Sequence, residues 1–376
     1  MFYIILTLLT GISFFPLLFP DHPNFKIWHA QGMWVQTLIM IAFSWSFFQN
    51  RINNSKSNIP LGLLHLWVGG STAFVCALTQ MNGSYNYWTL FPYFNFLCLI
   101  MLYKLIVDYL TIDNIYTILK WLRYVIIITL IMCVLQYIGV SQFFRLQHPD
   151  SVNLNGIVTG FIGNGTHLSG YLAMCLPLFL WNRSREDFLA IVLLGMVLFL
   201  SGTTVGDPAI SGFIISLFVL FYMAERKLSK AFIVVLGLCV GILMYLKNPL
   251  FVVPTGRIGL WSAYLPIAKG RFILGNGLGT VKFLSARAEF PDAHHLHLEY
   301  YQYLIELGFI GLLLVGNIIV EFMKKEPSSR TDKVLKAIVY GFLLSCCFTF
   351  PSHLWLPSTL ALFAYAAFNM GEYSCL

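Results

Sequence analysis

The sequence predicts an all-α protein, a polytopic membrane bundle of about twelve transmembrane helices with one large loop on the outer face. Hydrophobic residues make up 58% of the 376 residues and charged residues only 10%, whereas soluble domains carry about 25% charged residues. The mean hydropathy is +0.75. Apolar runs long enough to cross a hydrocarbon core of about 30 Å recur along the whole chain. One such run fits a buried helix, but a long series of them fits only a membrane.

The apolar runs define the predicted spans and divide the chain into three segments. The spans are 3–19, 32–48, 60–80, 89–107, 119–140, 165–182, 188–203, 209–224, 231–246, 301–323, 335–350 and 356–371. The segments are an N-terminal bundle of about nine spans (1–246), a large periplasmic loop (247–300) and the C-terminal helices (301–376). The first run lacks a basic start and a small-residue cleavage site, so it is interpreted as a span rather than a secretory signal.

The positive charges predict the orientation of the chain. Of the 23 lysines and arginines, six fall in 247–300, and only Lys26 and Arg145 fall in the short loops of one alternate set. The remaining fifteen fall in the other set, which the positive-inside rule makes cytoplasmic. Both termini are therefore predicted to be cytoplasmic and the large loop periplasmic. No Asp or Glu lies near the middle of a predicted span, which disfavours an ion-coupled carrier.

The large loop combines basic residues with a histidine cluster. Its cations are Lys247, Arg257, Lys269, Arg271, Lys282 and Arg287. Long loops cross the membrane largely regardless of their charge, so these cations indicate an anionic ligand at the outer face. A solvated helix face or contacts with lipid headgroups would explain them equally well. His294, His295 and His297 crowd within four residues near the end of the loop.

The order of local elements in the loop is readable from the sequence. A short amphipathic helix is predicted to open at Arg257, with Leu260, Trp261, Tyr264 and Leu265 on one apolar face and Pro266 perturbing its end. It is expected to lie at the membrane interface with Trp261 as its anchor. The glycine-rich stretch 275–279 predicts a turn whose backbone comes close to a ligand, or simply a loop.

These motifs resemble those of the O-antigen ligase and polymerase superfamily of bacterial envelope glycosyltransferases. The family pattern runs G-R-x-x-L-W, then P-L-x-G-x-G-x-G, then H-x-H-N-x-x-L-Q-x-x-x-E-x-G-x-x-G. The matching residues are Gly256, Arg257, Leu260 and Trp261, then Pro266, Gly275, Gly277 and Gly279, then His295, His297, Gln302, Glu306, Gly308 and Gly311. The resemblance is close over about 60 residues, counted from these motifs, and 160–173 (GFIGNGTHLSGYLA) looks like a further family segment. It implies a GT-C-like fold.

The sequence departs from the family pattern at two places. Leu298 follows the second motif histidine where the family usually has Asn, Ser or Gln, and 201–207 (SGTTVGD) lacks the family's frequent arginine. If that arginine contacts phosphate, another cation must replace it. The candidates are Arg145, Lys269 and Arg271.

The resemblance also implies the chemistry and the roles of the matching residues. The family transfers a glycan from undecaprenyl pyrophosphate to a sugar hydroxyl, by inversion and without metal or cofactor. His297 corresponds to the general base, since an imidazole with a pKa of about 6.5 accepts a proton near neutral pH. Arg257 is the first choice for the pyrophosphate, because a guanidinium binds phosphate through paired donors. His295 and Gln302 are assigned to substrate contacts, and Glu306 to orienting His297 or bonding a sugar hydroxyl.

Several functions stay open at this point. The first is an O-antigen ligase in the bacterial inner membrane, joining carrier-linked glycan to lipid A-core. The alternatives are a polymerase extending the glycan, a protein O-oligosaccharyltransferase and, more distantly, a transporter of the lipid-linked glycan. A zinc site from Asp292, His294, His295 and His297 is the less favoured interpretation of the histidines. Membrane lipids are expected partners and nucleic acid is not.

Overall fold

The structure is a computed structural model. It describes residues 1–14, 27–48, 59–81, 90–140, 158–162, 164–181, 187–203, 207–247, 257–284, 295–349 and 351–371. Regular structure in these ranges is helical, with no β-strand. The helices are α1 (Phe2–Gly11), α2 (Ile27–Phe48), α3 (Ile59–Met81), α4 (Leu90–Tyr109), α5 (Ile112–Tyr137), α6 (Gly165–Phe179), α7 (Asp187–Thr203), α8 (Asp207–Met223), α9 (Lys227–Lys247), α10 (Arg257–Gly270), α11 (Val281–Leu284), α12 (Glu299–Lys324), α13 (Arg330–Ser345) and α14 (Trp355–Gly371).

The predicted all-α class is confirmed, and every predicted span overlaps a helix, namely α1–α9 and α12–α14. Among the described residues, three helices are long and apolar enough to cross a membrane: Pro92–Tyr109, Ile112–Tyr137 and Glu299–Lys324. These three indicate a membrane protein. The number of crossings, the GT-C likeness and the cytoplasmic position of both termini stay predictions.

The chain forms two compact units. The first comprises Met1–Phe43, Tyr103–Pro254 and Pro327–Leu376, and the second comprises Ser44–Leu102 and Thr255–Glu326. All the loop motifs singled out in the sequence belong to the second unit.

In the first unit, α6 is the central helix and contacts α7, α8 and α13. Every side chain from His167 to Phe179 is buried, as expected for a helix that is apolar on all sides. Small residues let its neighbours approach closely. A Cβ at Gly212 of α8 would overlap the hydroxyl of Ser169, which is the kind of contact that joins helices in membranes.

In the second unit, α12 is the element on which α3, α10 and α11 pack. One core lies between α10, α11 and the start of α12, and it contains Leu260, Tyr264, Ala268, Val281, Leu284, Leu296 and Ile305. A second core joins α3 to α12 and contains Leu64, Val68, Leu278 and Leu307. The indole N–H of Trp67 in α3 donates to the Leu307 carbonyl at 2.8 Å. α12 is thus fixed on two sides at the level of Ile305–Leu307.

α12 is broken at Gly308, which has φ 70° and ψ −176°. This backbone region is essentially restricted to glycine. A break of this kind removes helical hydrogen bonds, so carbonyls before it and amides after it need other partners.

The segment 271–277 supplies those partners. The amides of Asn276 and Gly277 donate to the Ile305 and Glu306 carbonyls at 3.0 and 2.7 Å, and the amide of Phe309 donates to the Phe272 carbonyl at 2.7 Å. The close approach that the structure shows is that of the glycine turn to α12, and its approach to a ligand stays a prediction. Gly275 has φ 75° and lies directly against Gly308, where any side chain would separate the two backbones.

Candidate functional site

α10 carries the predicted arginine on its first turn. Arg257 is the first residue of the helix and only 6% exposed. Leu260 and Tyr264 follow on the same buried face, whereas Leu265, predicted to share one apolar face with them, is 46% exposed. Its position, one residue after Tyr264, turns it about 100° away around the helix. Pro266 does not end the helix, which continues to Gly270.

The histidine segment 295–298 is held between α10 and α12. The indole N–H of Trp261 donates to the Leu296 carbonyl at 2.8 Å, and the hydroxyl of Tyr301 donates to the Trp261 carbonyl at 2.9 Å. Leu296 is itself fully buried. The indole N–H of Trp261 thus holds the histidine segment, and the prediction that Trp261 anchors the helix in the membrane interface stays a prediction.

His297 has a left-handed backbone, with φ 56°. Histidine adopts this conformation more readily than most residues, but it is still uncommon outside glycine. Strained backbone of this kind persists where the surroundings impose it, and it concentrates at functional sites. Here the buried Leu296 before it and the start of α12 two residues later impose it.

The imidazole of His297 is held neutral. Burial, the largest cause, and the positive charge of Arg257 together lower its pKa from 6.5 to about 4, against the opposing effect of the Glu299 carboxylate. The two main predicted site residues, His297 and Arg257, thus lie close enough to interact electrostatically. At neutral pH the imidazole has a lone pair ready to accept a proton.

A buried polar network on α12 supports the histidine segment. Gln302 and Glu306 are 1% and 0% exposed. The amide of Gln302 donates to Glu306 at 3.1 Å, and its oxygen accepts from the Leu296 backbone amide at 3.2 Å. The backbone amide of Val281 also donates to Glu306, at 3.3 Å. These contacts fit the orienting role for Glu306, and they make Gln302 a link between α12 and the histidine segment.

Two neighbouring residues were not predicted as site residues from the sequence. Glu299 is fully buried and acts on the pKa of His297. The sequence feature that could have identified Glu299 is its position, since it begins α12 two residues after His297. Tyr264 is fully buried, its hydroxyl donates to the Val281 carbonyl at 3.1 Å, and burial together with Glu306 raises its pKa to about 12. Its helical spacing from Arg257 predicted only an apolar face.

The other predicted site residues lie in different positions. His295 is half-buried, two residues before His297. Lys269 and Arg271 are exposed at the far end of α10 and beyond it. Since a helix rises about 1.5 Å per residue, Lys269 lies roughly 18 Å from Arg257 along α10, too far for one diphosphate to contact both. Arg145 lies outside the described residues.

No group of three His, Cys, Asp or Glu side chains suited to a metal ion occurs within the described ranges. Asp292 and His294, two members of the alternative zinc site, fall in the gap 285–294 and are not described. The residues that the structure does bring together are a neutral imidazole, a guanidinium and two carboxylates.

Neither protein-family models nor curated proteins match this chain.

The lowered pKa of His297 predicts a pH-dependent stability. Above pH 6.5 both folded and unfolded states hold a neutral imidazole, whereas between pH 6.5 and 4 only the unfolded state is protonated. The free energy of unfolding should therefore fall as the pH falls through this window, by at most about 3 kcal/mol for a fully shielded group. Because the His297 side chain is only half-buried, the decrease in the free energy of unfolding is smaller than this upper value.

The measurement is the Tm of the detergent-solubilised protein at pH 7 and pH 5, for the wild type and His297→Asn. Asparagine tolerates the left-handed backbone, so the variant removes the titrating group and keeps the local conformation. The wild type should lose more stability between the two pH values than the variant. Equal losses would contradict the assigned pKa.

Proposed function

We propose that this chain is a membrane glycosyltransferase that transfers a glycan from undecaprenyl pyrophosphate to a sugar hydroxyl, and specifically an O-antigen ligase with lipid A-core as its acceptor. The observation that carries the proposal is the pair formed by the neutral imidazole of His297 and the buried guanidinium of Arg257. The match of these two residues to the family motifs supports it independently. The reaction class is inverting and independent of metal and cofactor.

In this proposal Arg257 binds the diphosphate of the carrier. A guanidinium is permanently charged and presents paired donors that match phosphate oxygens. Its burial at the first turn of α10 strengthens the interaction, since a charge shielded from water acts more strongly on its partner. The helix N-terminus adds a partial positive charge at the same place.

Binding of the diphosphate also prepares the base. The charge of Arg257 lowers the pKa of His297 in the free protein, and a bound anion offsets that charge. The pKa of His297 then rises from about 4 toward the working pH, where a general base is most effective. Donor binding and base activation are thereby coupled through one electrostatic contact.

The transfer step follows from these assignments. His297 accepts the proton of the acceptor hydroxyl while that oxygen attacks the anomeric carbon of the donor glycan. The bond between this carbon and the pyrophosphate oxygen breaks, and undecaprenyl pyrophosphate leaves with the electron pair, held by Arg257. Glu299 stabilises the imidazolium formed on His297, since it raises the pKa of that group. Gln302 and Glu306 act as positioning residues for the histidine segment.

The proposal places the chain in the bacterial inner membrane with a periplasmic active site. The carrier-linked glycan and the lipid A-core acceptor both reach that face, and membrane lipids surround the helices. His295, beside the base, is assigned to a sugar or phosphate oxygen.

The test is complementation of cells that lack their own ligase. The full chain should restore glycan-bearing lipid A-core, visible as a ladder when lipopolysaccharide is separated by gel. Arg257→Gln removes the buried charge and is expected to abolish the ladder. Arg226→Gln removes an exposed arginine, predicted to be cytoplasmic, and serves as the matched control that keeps it.

The outcomes separate the related functions. Longer carrier-linked chains without lipid A-core product would indicate a polymerase, and glycan on protein would indicate an oligosaccharyltransferase. Full activity of Arg257→Gln would remove the assigned pyrophosphate contact and, with it, the central observation of the proposal.

A further inference from the structure

A run of large apolar side chains is exposed beside the break in α12. Phe272, Ile273 and Leu274 are 45%, 59% and 50% exposed. Phe309 and Leu313 of α12 are 41% and 55% exposed. Exposed apolar residues are ordinary when scattered, but a contiguous group indicates an interaction surface.

The group is continuous across the two segments. The rings of Phe272 and Phe309 stack with centroids 5.4 Å apart and an interplanar angle of 16°. The amides of Phe309 and Ile310 donate to the Phe272 and Ile273 carbonyls. Phe272–Leu274 therefore share the environment of Phe309 on α12, whether that environment is water or lipid.

The length of α12 gives the depth of Phe309 in a bilayer. Phe309 precedes Lys324, the last residue of α12, by 324 − 309 = 15 residues, which correspond to about 22 Å of helix. The hydrocarbon core is about 30 Å thick. With Lys324 at one boundary, Phe309 lies roughly 8 Å inside the other, and any tilt of the helix only increases this depth.

Irregular backbone at this depth must have its polar groups satisfied by protein. Several backbone groups of the segment 271–277 are paired in this way with one another or with α12. The amide of Gly275 donates to the Arg271 carbonyl at 2.8 Å, and Asn276 and Gly277 donate to carbonyls of α12. The side-chain amide of Asn276 donates to the Ile305 carbonyl at 2.9 Å.

Basic residues flank the apolar group on the side of the preceding helix. Lys269 and Arg271 are exposed directly before Phe272. Long basic side chains reach from the edge of the hydrocarbon to the headgroups, where anionic phosphates attract them. Ile258 and Leu265 continue the exposed apolar face along α10.

We propose that residues 271–277 form a re-entrant segment that inserts Phe272, Ile273 and Leu274 into the outer edge of the bilayer, with Lys269 and Arg271 on lipid headgroups. The occupant of this surface is the lipid bilayer itself. The inference is independent of the proposed glycosyl transfer, because it uses only α12, its break and the exposed side chains. It also gives Lys269 and Arg271 a role apart from Arg257.

The test is photo-crosslinking of the full chain to lipid. Ile273 is replaced by the photoreactive residue p-benzoylphenylalanine, and the protein is placed in nanodiscs of phosphatidylethanolamine and phosphatidylglycerol. After illumination, lipid adducts on the peptide are measured by mass spectrometry. The same replacement at Leu313, exposed on the span, and at Glu326, exposed just beyond α12, gives the lipid and water references.

The adduct yield at Ile273 should approach that at Leu313 and exceed that at Glu326 by at least about fivefold, since a buried apolar probe meets acyl chains. A yield equal to that at Glu326 would overturn the proposal, and so would a lack of adduct at Leu313, which would remove α12 from the membrane. Leu274 provides a second site for the probe if the first variant has a lowered Tm.

Discussion

Replacement of His297 by asparagine is expected to lower the rate of glycan transfer by about 10²–10⁴-fold, the usual contribution of a general base. The imidazole is held neutral and interacts electrostatically with Arg257. Asparagine accepts the left-handed backbone of this position, with φ 56°. The loss therefore reports the missing base rather than a distorted segment, and Tm at pH 7 should stay close to that of the wild type.

The pH dependence of the wild type makes the prediction sharper. The acid limb of kcat/KM reports the free protein and should lie near pH 4, the pKa of His297, rather than near 6.5. The acid limb of kcat reports the protein with donor bound and should lie at higher pH, because the diphosphate offsets the charge of Arg257. Coincident limbs near pH 6.5 would contradict the contact between these residues.

His295→Asn is the matched comparison for this experiment. It removes an imidazole two residues away, which the proposal assigns to substrate contact, so it should raise KM more than it lowers kcat. If His297→Asn retained more than a tenth of the wild-type rate, proton transfer would have to be assigned elsewhere.

The helical fold was predictable from the sequence because the signal is local. Apolar runs of sufficient length specify helices wherever backbone groups must be satisfied within one segment. All predicted spans accordingly overlap helices. The predicted boundary was less accurate at α5, which begins at Ile112 rather than near 119. Its first turn is polar and is capped by Thr111, and hydropathy alone predicts a loop there.

The candidate site was predictable to the extent that its residues fall in motifs. Arg257 and His297 were assigned to one site by register with a family, and in the structure they lie close enough to interact electrostatically. The contributions of Glu299 and Tyr264 depend on burial and on neighbours distant in the chain, which one sequence does not reveal. The left-handed backbone of His297 has no local signal either, since it is imposed by the packing of Leu296.

The partners of the glycines could not be predicted from the sequence. A turn rich in glycine predicts a flexible segment or close approach to a ligand, and both interpretations are local. In the structure Gly275 meets Gly308, 33 residues later in the chain (308 − 275 = 33). A contact between two backbones requires glycine on both sides, and only the fold shows which two are partners.

Gly308→Ala is expected to destabilise the protein by roughly 2–6 kcal/mol, combining about 1–3 for backbone strain with about 1–3 for overpacking. At φ 70° and ψ −176° an alanine is strained whatever space surrounds it. Its Cβ would also overlap the carbonyl oxygen of Ile273 and the amide of Gly275. These are backbone atoms, which cannot rotate away as the end of a flexible side chain can. The variant should show a Tm lower by several degrees in detergent and a loss of transfer activity.

The loss of activity follows from the position of the break. Glu306 and Gln302 lie within six residues before Gly308, Glu306 accepts from Gln302, and Gln302 accepts from the backbone amide of Leu296, so a shift in α12 moves the histidine segment. Gly316→Ala is the matched control on the same helix, since its Cβ would meet nothing within 4 Å and alanine favours a helix by up to about 1 kcal/mol. Equal Tm values for the two variants would mean that segment 271–277 is not packed on α12, and the support for the histidine segment would then have to come from α10 alone.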